Sequence, residues 1–268
     1  MSGPFPIPAG LTTRDKWTIG GGLVAVCGLA WAAMAWQADT MMAMDARGGA
    51  GAMATAMPGP PLAGIDLVLV WLMWAVMMVA MMVPGASPMI AVFAAINRRR
   101  REEGDPFVRT SVFLLGYLGA WSLFSVAATA LHWLLDATRL LTPMMASASP
   151  ALSAALFAAA GLYQWTPLKD ACLRHCRTPV GFVLSEWRDG TAGAIVMGLR
   201  HGLFCAGCCV AIMGLLFAVA VMDLRWVAAV AVLVTLEKLL PRPRFWRHFI
   251  GAAFLAAALG FATGHVGS

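Results

Sequence analysis

Residues 67–97 read LVLVWLMWAVMMVAMMVPGASPMIAVFAAIN, and this run of 31 residues without a charge decides the fold class. An α-helix rises about 1.5 Å per residue, so about 20 apolar residues cross the roughly 30 Å hydrocarbon core of a bilayer. The run is long enough to do so, although Pro84 should kink it because proline removes a backbone hydrogen bond. It therefore predicts a transmembrane helix.

The rest of the chain repeats this pattern, with further charge-free runs at Trp17–Ala38, Thr110–Leu135, Leu140–Leu168, His201–Met222 and Phe249–Ser268. Hydrophobic residues make up 60% of the 268 residues, charged residues make up 12%, and the mean hydropathy is +0.77. Soluble domains average about 45–50% apolar and about 25% charged residues. The composition therefore excludes an ordinary soluble domain, a disordered chain and a nucleic-acid-binding module, and it makes the lipid bilayer the first expected partner.

We therefore predict an all-α fold, a polytopic transmembrane helical bundle of about seven spans. The predicted spans are residues 17–37, 65–96, 108–133, 148–165, 193–221, 226–240 and 248–265. Two domains are expected. Residues 1–64 hold the first span and a methionine-rich outer loop, and residues 65–268 form a six-span membrane domain that carries most of the candidate metal ligands described below.

Basic residues are distributed unevenly between the loops of this topology. With the N-terminus inside, 14 Lys and Arg residues fall on the inner segments and 3 on the outer ones. Cytoplasmic loops of membrane proteins carry an excess of Lys and Arg. The net charge of +6 is therefore interpreted as a signal of orientation rather than of nucleic-acid binding, and the N-terminus is predicted to be cytoplasmic.

The fifth span contains the strongest candidate site, HGLFCAGCC at residues 201–209. Residues four apart share a helix face, so His201, Cys205 and Cys209 form one stripe, with Cys208 beside it. Thiols and an imidazole on one face predict a soft-metal site. Two alternatives remain open: free cysteines also pack as small hydrophobic residues, and vicinal cysteines serve thiol redox chemistry, although they bridge only with strain. Glycines that should admit a neighbouring helix are Gly198, Gly202, Gly207 and Gly214.

The second span is rich in methionine, and its candidate ligands are Met73, Met77, Met78 and Met81. Methionine often only packs in a core, but its thioether is a soft ligand that suits Cu(I) and is poor for Zn(II). At about 1.5 Å per residue, these side chains and the cysteines of the fifth span both lie near the bilayer midplane. The two groups are therefore at compatible depths, whether or not their helix faces meet.

A polar segment between the fourth and fifth spans, residues 166–190, carries Cys172, His175 and Cys176. On a helix the C-x3-C spacing places both thiols on one face, and the reducing cytosol keeps them available to a soft metal. Zinc sites more often use C-x2-C and need a second pair of ligands. Cys172 and Cys176 are therefore interpreted either as metal ligands or as ordinary residues of a surface loop.

Arg200 and Glu237 are ionisable residues inside predicted spans. Such groups are costly in a bilayer and are usually paired or functional. Both lie toward the cytoplasmic ends of their helices, so we predict a structural ion pair between them.

Two blocks of the chain are similar to a known family. One is WLMWAVMMVAMMVPGASP at residues 71–88, and the other runs from Tyr163 to Pro241 and includes YQWTPLKDACLRHCRTP and GAIVMGLRHGLFCAGCC. On these blocks the chain resembles the bacterial family of predicted metal-binding integral membrane proteins, domain-of-unknown-function family 2182, whose members are sometimes labelled copper chaperones. Val210 departs from the aromatic residue that usually follows the vicinal cysteines. The resemblance implies a multi-spanning protein of the bacterial inner (cytoplasmic) membrane with a metal site.

Ligand chemistry and the resemblance together predict a non-enzymatic protein that binds a soft metal, with Cu(I) favoured over Zn(II). The expected role is copper delivery, transport or homeostasis, and the expected partner is a metal-receiving cuproprotein or chaperone. The spans hold no nucleophile–base set or paired carboxylates. The alternatives are a membrane assembly or scaffold subunit whose Met and Cys only pack helices, and a thiol redox membrane protein. Methionines expected to capture the ion in the outer loop are Met41, Met42, Met44, Met53 and Met57.

Overall fold

A computed structural model describes residues 12–46, 64–104, 108–142 and 145–264 of the chain. Apart from one isolated bridge between Leu141 and Ser147, the regular structure in these ranges is helical, which confirms the all-α fold. The helices are α1 (Thr13–Ala46), α2 (Gly64–Glu102), α3 (Thr110–Ala137), α4 (Pro150–Tyr163), α5 (Pro167–Arg177), α6 (Pro179–Ser185), α7 (Gly190–Gly214), α8 (Leu216–Val219), α9 (Leu224–Leu239) and α10 (Pro243–Ala262).

Five helical stretches in the described ranges are long and apolar enough to cross a bilayer. They are Thr13–Thr40, Asp66–Glu102, Thr110–Ala137, Gly190–Val219 and Pro243–Ala262. The predicted fourth and sixth spans correspond to α4 and α9, whose 14 and 16 residues fall short of the length that crosses a bilayer in a straight helix. A helical membrane bundle is thus consistent with the prediction, and the number of about seven spans is not confirmed.

Several helices begin with a proline. It occupies the first turn of α4, α5, α6 and α10, where its missing N–H costs nothing and its fixed φ suits the helix. Pro84 and Pro88 lie inside α2, and the helix continues through both. The hydroxyl of Ser87 donates a hydrogen bond to the carbonyl of Pro84 at 2.8 Å. The long apolar run therefore forms one helix despite its prolines.

The closest helix pair is α3 with α7, and glycine makes the approach possible. A Cβ atom on Gly198 would collide with the backbone oxygen of Phe113, and one on Gly116 would collide with that of Ile195. Gly202 likewise lies against Ala120, so the predicted role of glycine in this span is confirmed there. The prediction for Gly214 is wrong, because no atom of the described residues lies within 4 Å of a Cβ atom built at that position.

The remaining helices pack around this pair. α2 packs on α3, α1 lies along α2, α10 packs on α4, and α5 lies against α7. Large apolar side chains cover the outside of the bundle, for example Leu115, Leu123 and Leu259, each more than 60% exposed. Soluble monomers rarely expose extended apolar surface. The surface therefore agrees with a membrane protein, and the buried sulfur-bearing residues lie between α2, α5, α7 and α9.

Candidate metal centre

His201, Cys205, Cys208 and Cys209 lie on one face of α7, and each is no more than 2% exposed. The thiols of Cys208 and Cys209 donate hydrogen bonds to the carbonyl of Cys205 at 3.1 and 2.9 Å. The predicted stripe of His201, Cys205 and Cys209 is therefore buried, and Cys208 lies beside it. Its thiols point into the bundle, and two of them are held by the backbone of their own helix.

Helix α5 brings two further thiols to this face. The Sγ atom of Cys176 lies 3.9 Å from the Sγ atom of Cys208. A Cβ atom added to Gly207 would lie 2.8 Å from the Sγ atom of Cys172, so the glycine makes room for that thiol. Both thiols of α5 therefore lie beside those of α7, and the assignment of Cys172 and Cys176 as metal ligands stays a prediction.

Both α5 thiols are held in the protonated form. Burial raises the pKa of the Cys172 thiol, and the neighbouring Cys208 raises it further. Hydrogen bonds with Cys205 and Cys208 hold the pKa of the Cys176 thiol well above its ordinary value, and burial adds to the effect. The thiolate is the metal-binding form. A metal that binds these residues must therefore displace their protons.

Cys205 has two polar neighbours besides the cysteines. The hydroxyl of Tyr117 lies 3.2 Å from its sulfur and 3.0 Å from the backbone oxygen of Met82 on α2. The ammonium of Lys238 on α9 donates to the same sulfur at 3.2 Å. Sequence reasoning gave Lys238 no role, although a lysine inside an apolar span is itself a signal of function.

Lys238 is 6% exposed, and no carboxylate in the described part of the chain lies within ion-pair distance of its ammonium. A buried charge is costly unless an opposite charge or hydrogen bonds compensate it. The sulfur cluster provides that compensation, because Cys205 is the contact of the ammonium and becomes anionic as a thiolate. Lys238 thus gives the site a fixed positive charge.

His201 is enclosed by aromatic rings. Its ring centroid lies 5.3 Å from that of Phe182, 5.7 Å from that of Tyr117 and 6.3 Å from that of Phe113. Its Nδ1 atom is buried and has no hydrogen-bond partner among the residues that the structure describes. Buried polar atoms are nearly always paired, so an unpaired imidazole nitrogen beside a group of thiols is available to a ligand.

The donor atoms of this cluster suit a soft ion, but they are not arranged in a complete coordination geometry. Within the described ranges, no group of three or more His, Cys, Asp or Glu side chains is arranged to hold a metal ion. The 3.9 Å between the sulfurs of Cys176 and Cys208 is, however, within the about 4.6 Å that two metal–thiolate bonds of about 2.3 Å can span. These two thiols are thus close enough to bind one ion together, and any further donor would require side-chain rotation.

The candidate methionines are all buried, and in the structure they fall into two groups with different neighbours. A Cβ atom on Gly85 of α2 would lie 3.2 Å from the ammonium of Lys238, and Met81 and Met78 precede Gly85 by four and seven residues. They therefore share the side of α2 that faces Lys238. Met73 and Met77 line a crevice against α1 instead. Of the outer-loop methionines, Met53 and Met57 lie outside the described residues.

The predicted ion pair between Arg200 and Glu237 is wrong. Arg200 pairs with Glu186 and is 40% exposed, whereas Glu237 pairs with Lys169, with 2.8 Å between Nζ and Oε2. The amide of Gln164 also donates to Glu237 at 2.8 Å. The prediction failed because Lys169 belongs to the polar segment between two predicted spans, which suggests a surface position, while in the structure it lies on α5 and is fully buried.

This buried ion pair fixes α5 to α9. Arg177 at the end of α5 donates to the backbone oxygens of Glu237 and Leu240, both at 2.6 Å. Glu237 and Lys238 are adjacent on α9, so one helix contacts both α5, through Lys169, and the thiol of Cys205. The network therefore sets the position of the α5 thiols relative to those of α7.

A family model described as PpoB2: Copper chaperone matches residues 71–261, well over half of the chain. The matched range contains every helix that contributes a thiol to the buried cluster, together with Lys238. No curated protein and no solved structure matches the chain.

Proposed function

The chain belongs to the PpoB2 family of copper chaperones, as its sequence blocks indicated, and on that premise we propose that it binds Cu(I) within the membrane and passes it to a receiving protein. The observation that carries the proposal is the buried thiol cluster of α5 and α7, in which Cys176 and Cys208 stand 3.9 Å apart. Soft thiolate and thioether ligands select Cu(I) among biological metals.

The proposed ligands come from two helices. Cys176, Cys205 and Cys208 form the core of the site, because the thiols of Cys205 and Cys208 both interact with that of Cys176. Cys209, Cys172 and the free nitrogen of His201 are the further candidates on the same face, and Met78 and Met81 approach from α2. A Cu(I) ion needs few ligands, so the cluster offers alternative partners between which the ion can move.

Charge supports the monovalent ion. When Cu(I) binds two of the three core thiols as thiolates and the third stays protonated, the complex carries a net charge of −1, which the ammonium of Lys238, 3.2 Å from the sulfur of Cys205, balances. Zn(II) with the same two thiolates and Lys238 would leave an uncompensated positive charge in a medium of low dielectric constant. The softness of the ligands and the net charge of the complex therefore both favour Cu(I), and Zn(II) is the less favoured ion.

The proposed direction follows the distribution of basic residues. In that orientation the N-terminus and α5 face the cytoplasm of a bacterial cell, and Cys172 and Cys176 are the thiols nearest to a cytoplasmic cuproprotein or chaperone. Copper would leave by ligand exchange between thiols, which changes no oxidation state. The function proposed is thus carriage of copper rather than covalent catalysis.

Metal content tests the proposal. Protein purified under reducing conditions from copper-supplemented cells should carry about one copper per chain, and Cys205→Ser should lose most of it. Cys27→Ser is the matched control, because Cys27 lies on α1, outside the thiol cluster, and it should keep its copper. Copper-free wild-type protein would contradict the proposal. In that case, a Cys176–Cys208 disulfide formed on mild oxidation would favour the redox alternative, and inert thiols would favour the scaffold alternative.

A further inference from the structure

Four methionines from three parts of the chain line one small crevice. Met34 comes from α1, Met73 and Met77 come from α2, and Met222 comes from the turn before α9. The volume of the crevice is about 10 Å³, and Gln37 adds a polar side chain to its wall. Four methionine side chains therefore lie around a space of the size of a single ion or water molecule, and Val221 and Leu224 complete its wall.

Packing alone explains this crevice poorly. Methionine is the flexible residue that fills irregular gaps in a core, yet here the gap remains between methionine side chains. Met34, Met73 and Met77 are 6%, 8% and 1% exposed, so they are not spread over the surface. Thioether sulfur is a neutral soft ligand that suits Cu(I) and is poor for Zn(II), Mg(II) and Ca(II).

The crevice is separate from the thiol cluster. Tyr117 connects Cys205 to the backbone of Met82, which places the cluster at that level of α2. Met73 precedes Met82 by nine residues, or about 14 Å along the helix. In the proposed orientation the crevice lies on the outer side of the cluster, between α1 and α2.

We propose that this crevice is a second metal site, composed of thioethers, that takes Cu(I) before it reaches the thiols. The choice of Cu(I) as the ion rests on the proposed function, while the presence of a site for a soft monovalent ion does not. Neutral thioethers leave the charge of the ion uncompensated, so this site should bind more weakly than the thiolates and release the ion to them. Met77 and Met81 are four residues apart on one face of α2 and connect the two sites.

Methyl NMR on the full-length protein in detergent tests the site with Ag(I), a soft monovalent ion that does not change oxidation state. With [methyl-¹³C]methionine labelling, the first Ag(I) equivalents should occupy the thiols. Further Ag(I) should then shift the methyl resonances of Met34, Met73, Met77 and Met222. The resonance of Met89, a buried methionine on the other half of α2, should stay in place.

Two variants separate this site from the thiol cluster. Met34→Leu/Met222→Leu changes side-chain volume little, and it should weaken Ag(I) binding at the crevice at least about tenfold while leaving the thiol site intact. Met89→Leu is the matched control and should change neither site. If the four methyl resonances stay unshifted at saturating Ag(I), the inference is overturned. Thiols that still bind the ion would then leave the proposed function standing, and thiols that do not would overturn both.

Discussion

At the scale of single residues, Lys238 controls the charge of the thiol cluster. Its ammonium lies 3.2 Å from the Cys205 sulfur and is almost fully buried. Electrostatic interactions at such distances are strong where water is excluded. A cationic side chain next to thiolates favours a complex whose metal carries one positive charge, so Lys238 should contribute to the choice between Cu(I) and Zn(II) as well as to the position of Cys205.

Replacing Lys238 by leucine tests that role, because leucine removes the charge and adds no donor atom. Lys238→Leu should weaken Cu(I) binding about tenfold or more, or about 1.4 kcal/mol, and leave Zn(II) binding unchanged or tighter, because the balancing charge is lost. Competition with chromophoric chelators for each ion measures both affinities. Lys238→Arg keeps the charge and is the control. A Leu variant with the wild-type preference for Cu(I) over Zn(II) would show that the charge plays no part.

Sequence periodicity predicted the residues of α7 but not their partners. His201, Cys205 and Cys209 share a face because a helix repeats every 3.6 residues, which is a local property. The approach of Cys176 to Cys208 and of Lys238 to Cys205 depends on how α5 and α9 pack, and no local pattern encodes that. The same limitation produced the wrong partner for Glu237, since Lys169 reaches it only through the packing of α5.

At the scale of secondary-structure elements, the close packing of α3 against α7 determines what surrounds the site. Tyr117, which contacts Cys205, follows Gly116, whose missing side chain leaves room for the backbone of Ile195. The contact brings the Tyr117 hydroxyl within 3.2 Å of the thiol. Spacing between these two helices therefore determines both the stability of the bundle and the surroundings of Cys205.

A methyl group at this contact should separate the two helices. We expect Gly116→Ala to lower the free energy of unfolding by about 2 kcal/mol or more, because backbone atoms rather than a mobile side chain must move. Gly119→Ala is the matched control, since none of the described residues has an atom within 4 Å of a Cβ atom there and alanine favours the helix. Thermal unfolding in detergent compares them. Equal Tm values for the two variants would contradict the contact.

The ion pair between α5 and α9 makes a second prediction at this scale. Glu237→Gln should destabilise the protein by about 3–5 kcal/mol, because it leaves the buried Lys169 ammonium without its counter-ion. Lys169→Met/Glu237→Gln removes both charges and should be milder than Glu237→Gln or Lys169→Met alone. The fraction of folded protein after heating measures both. A double variant as unstable as the sum of the two single variants would rule out the pairing.

At the scale of the whole molecule, the charge-free runs predicted the five long helices because length and apolarity are enough to identify a helix that crosses a bilayer. They did not predict that α4 would be as short as 14 residues, whereas the predicted sixth span, residues 226–240, is already as short as α9. An apolar run does not show where a helix breaks inside it, and here α4 ends at Tyr163 and α5 begins at Pro167 within one apolar-to-polar stretch. The division into residues 1–64 and 65–268 stays a prediction.

Orientation is the next property at this scale. Reporter fusions at Arg101 and at Ala52 flank the second span, so they should report opposite sides of the membrane, with Arg101 in the cytoplasm. The physical reason is the run of arginines, Arg98–Arg101, at the end of α2. Fusions that report the same side would show that the second span does not cross the membrane.

The most direct test of a sulfur-ligated copper site is X-ray absorption at the copper edge on reduced, full-length protein. The account predicts Cu(I) with a sulfur-dominated first shell in the wild type and in Cys27→Ser. Cys205→Ser/Cys208→Ser should retain little copper, and the copper that remains should have less sulfur in its first shell, because two of the core thiols are gone. Copper bound with the same stoichiometry and the same first shell after Cys205, Cys208 and Cys209 are all replaced by serine would contradict the account.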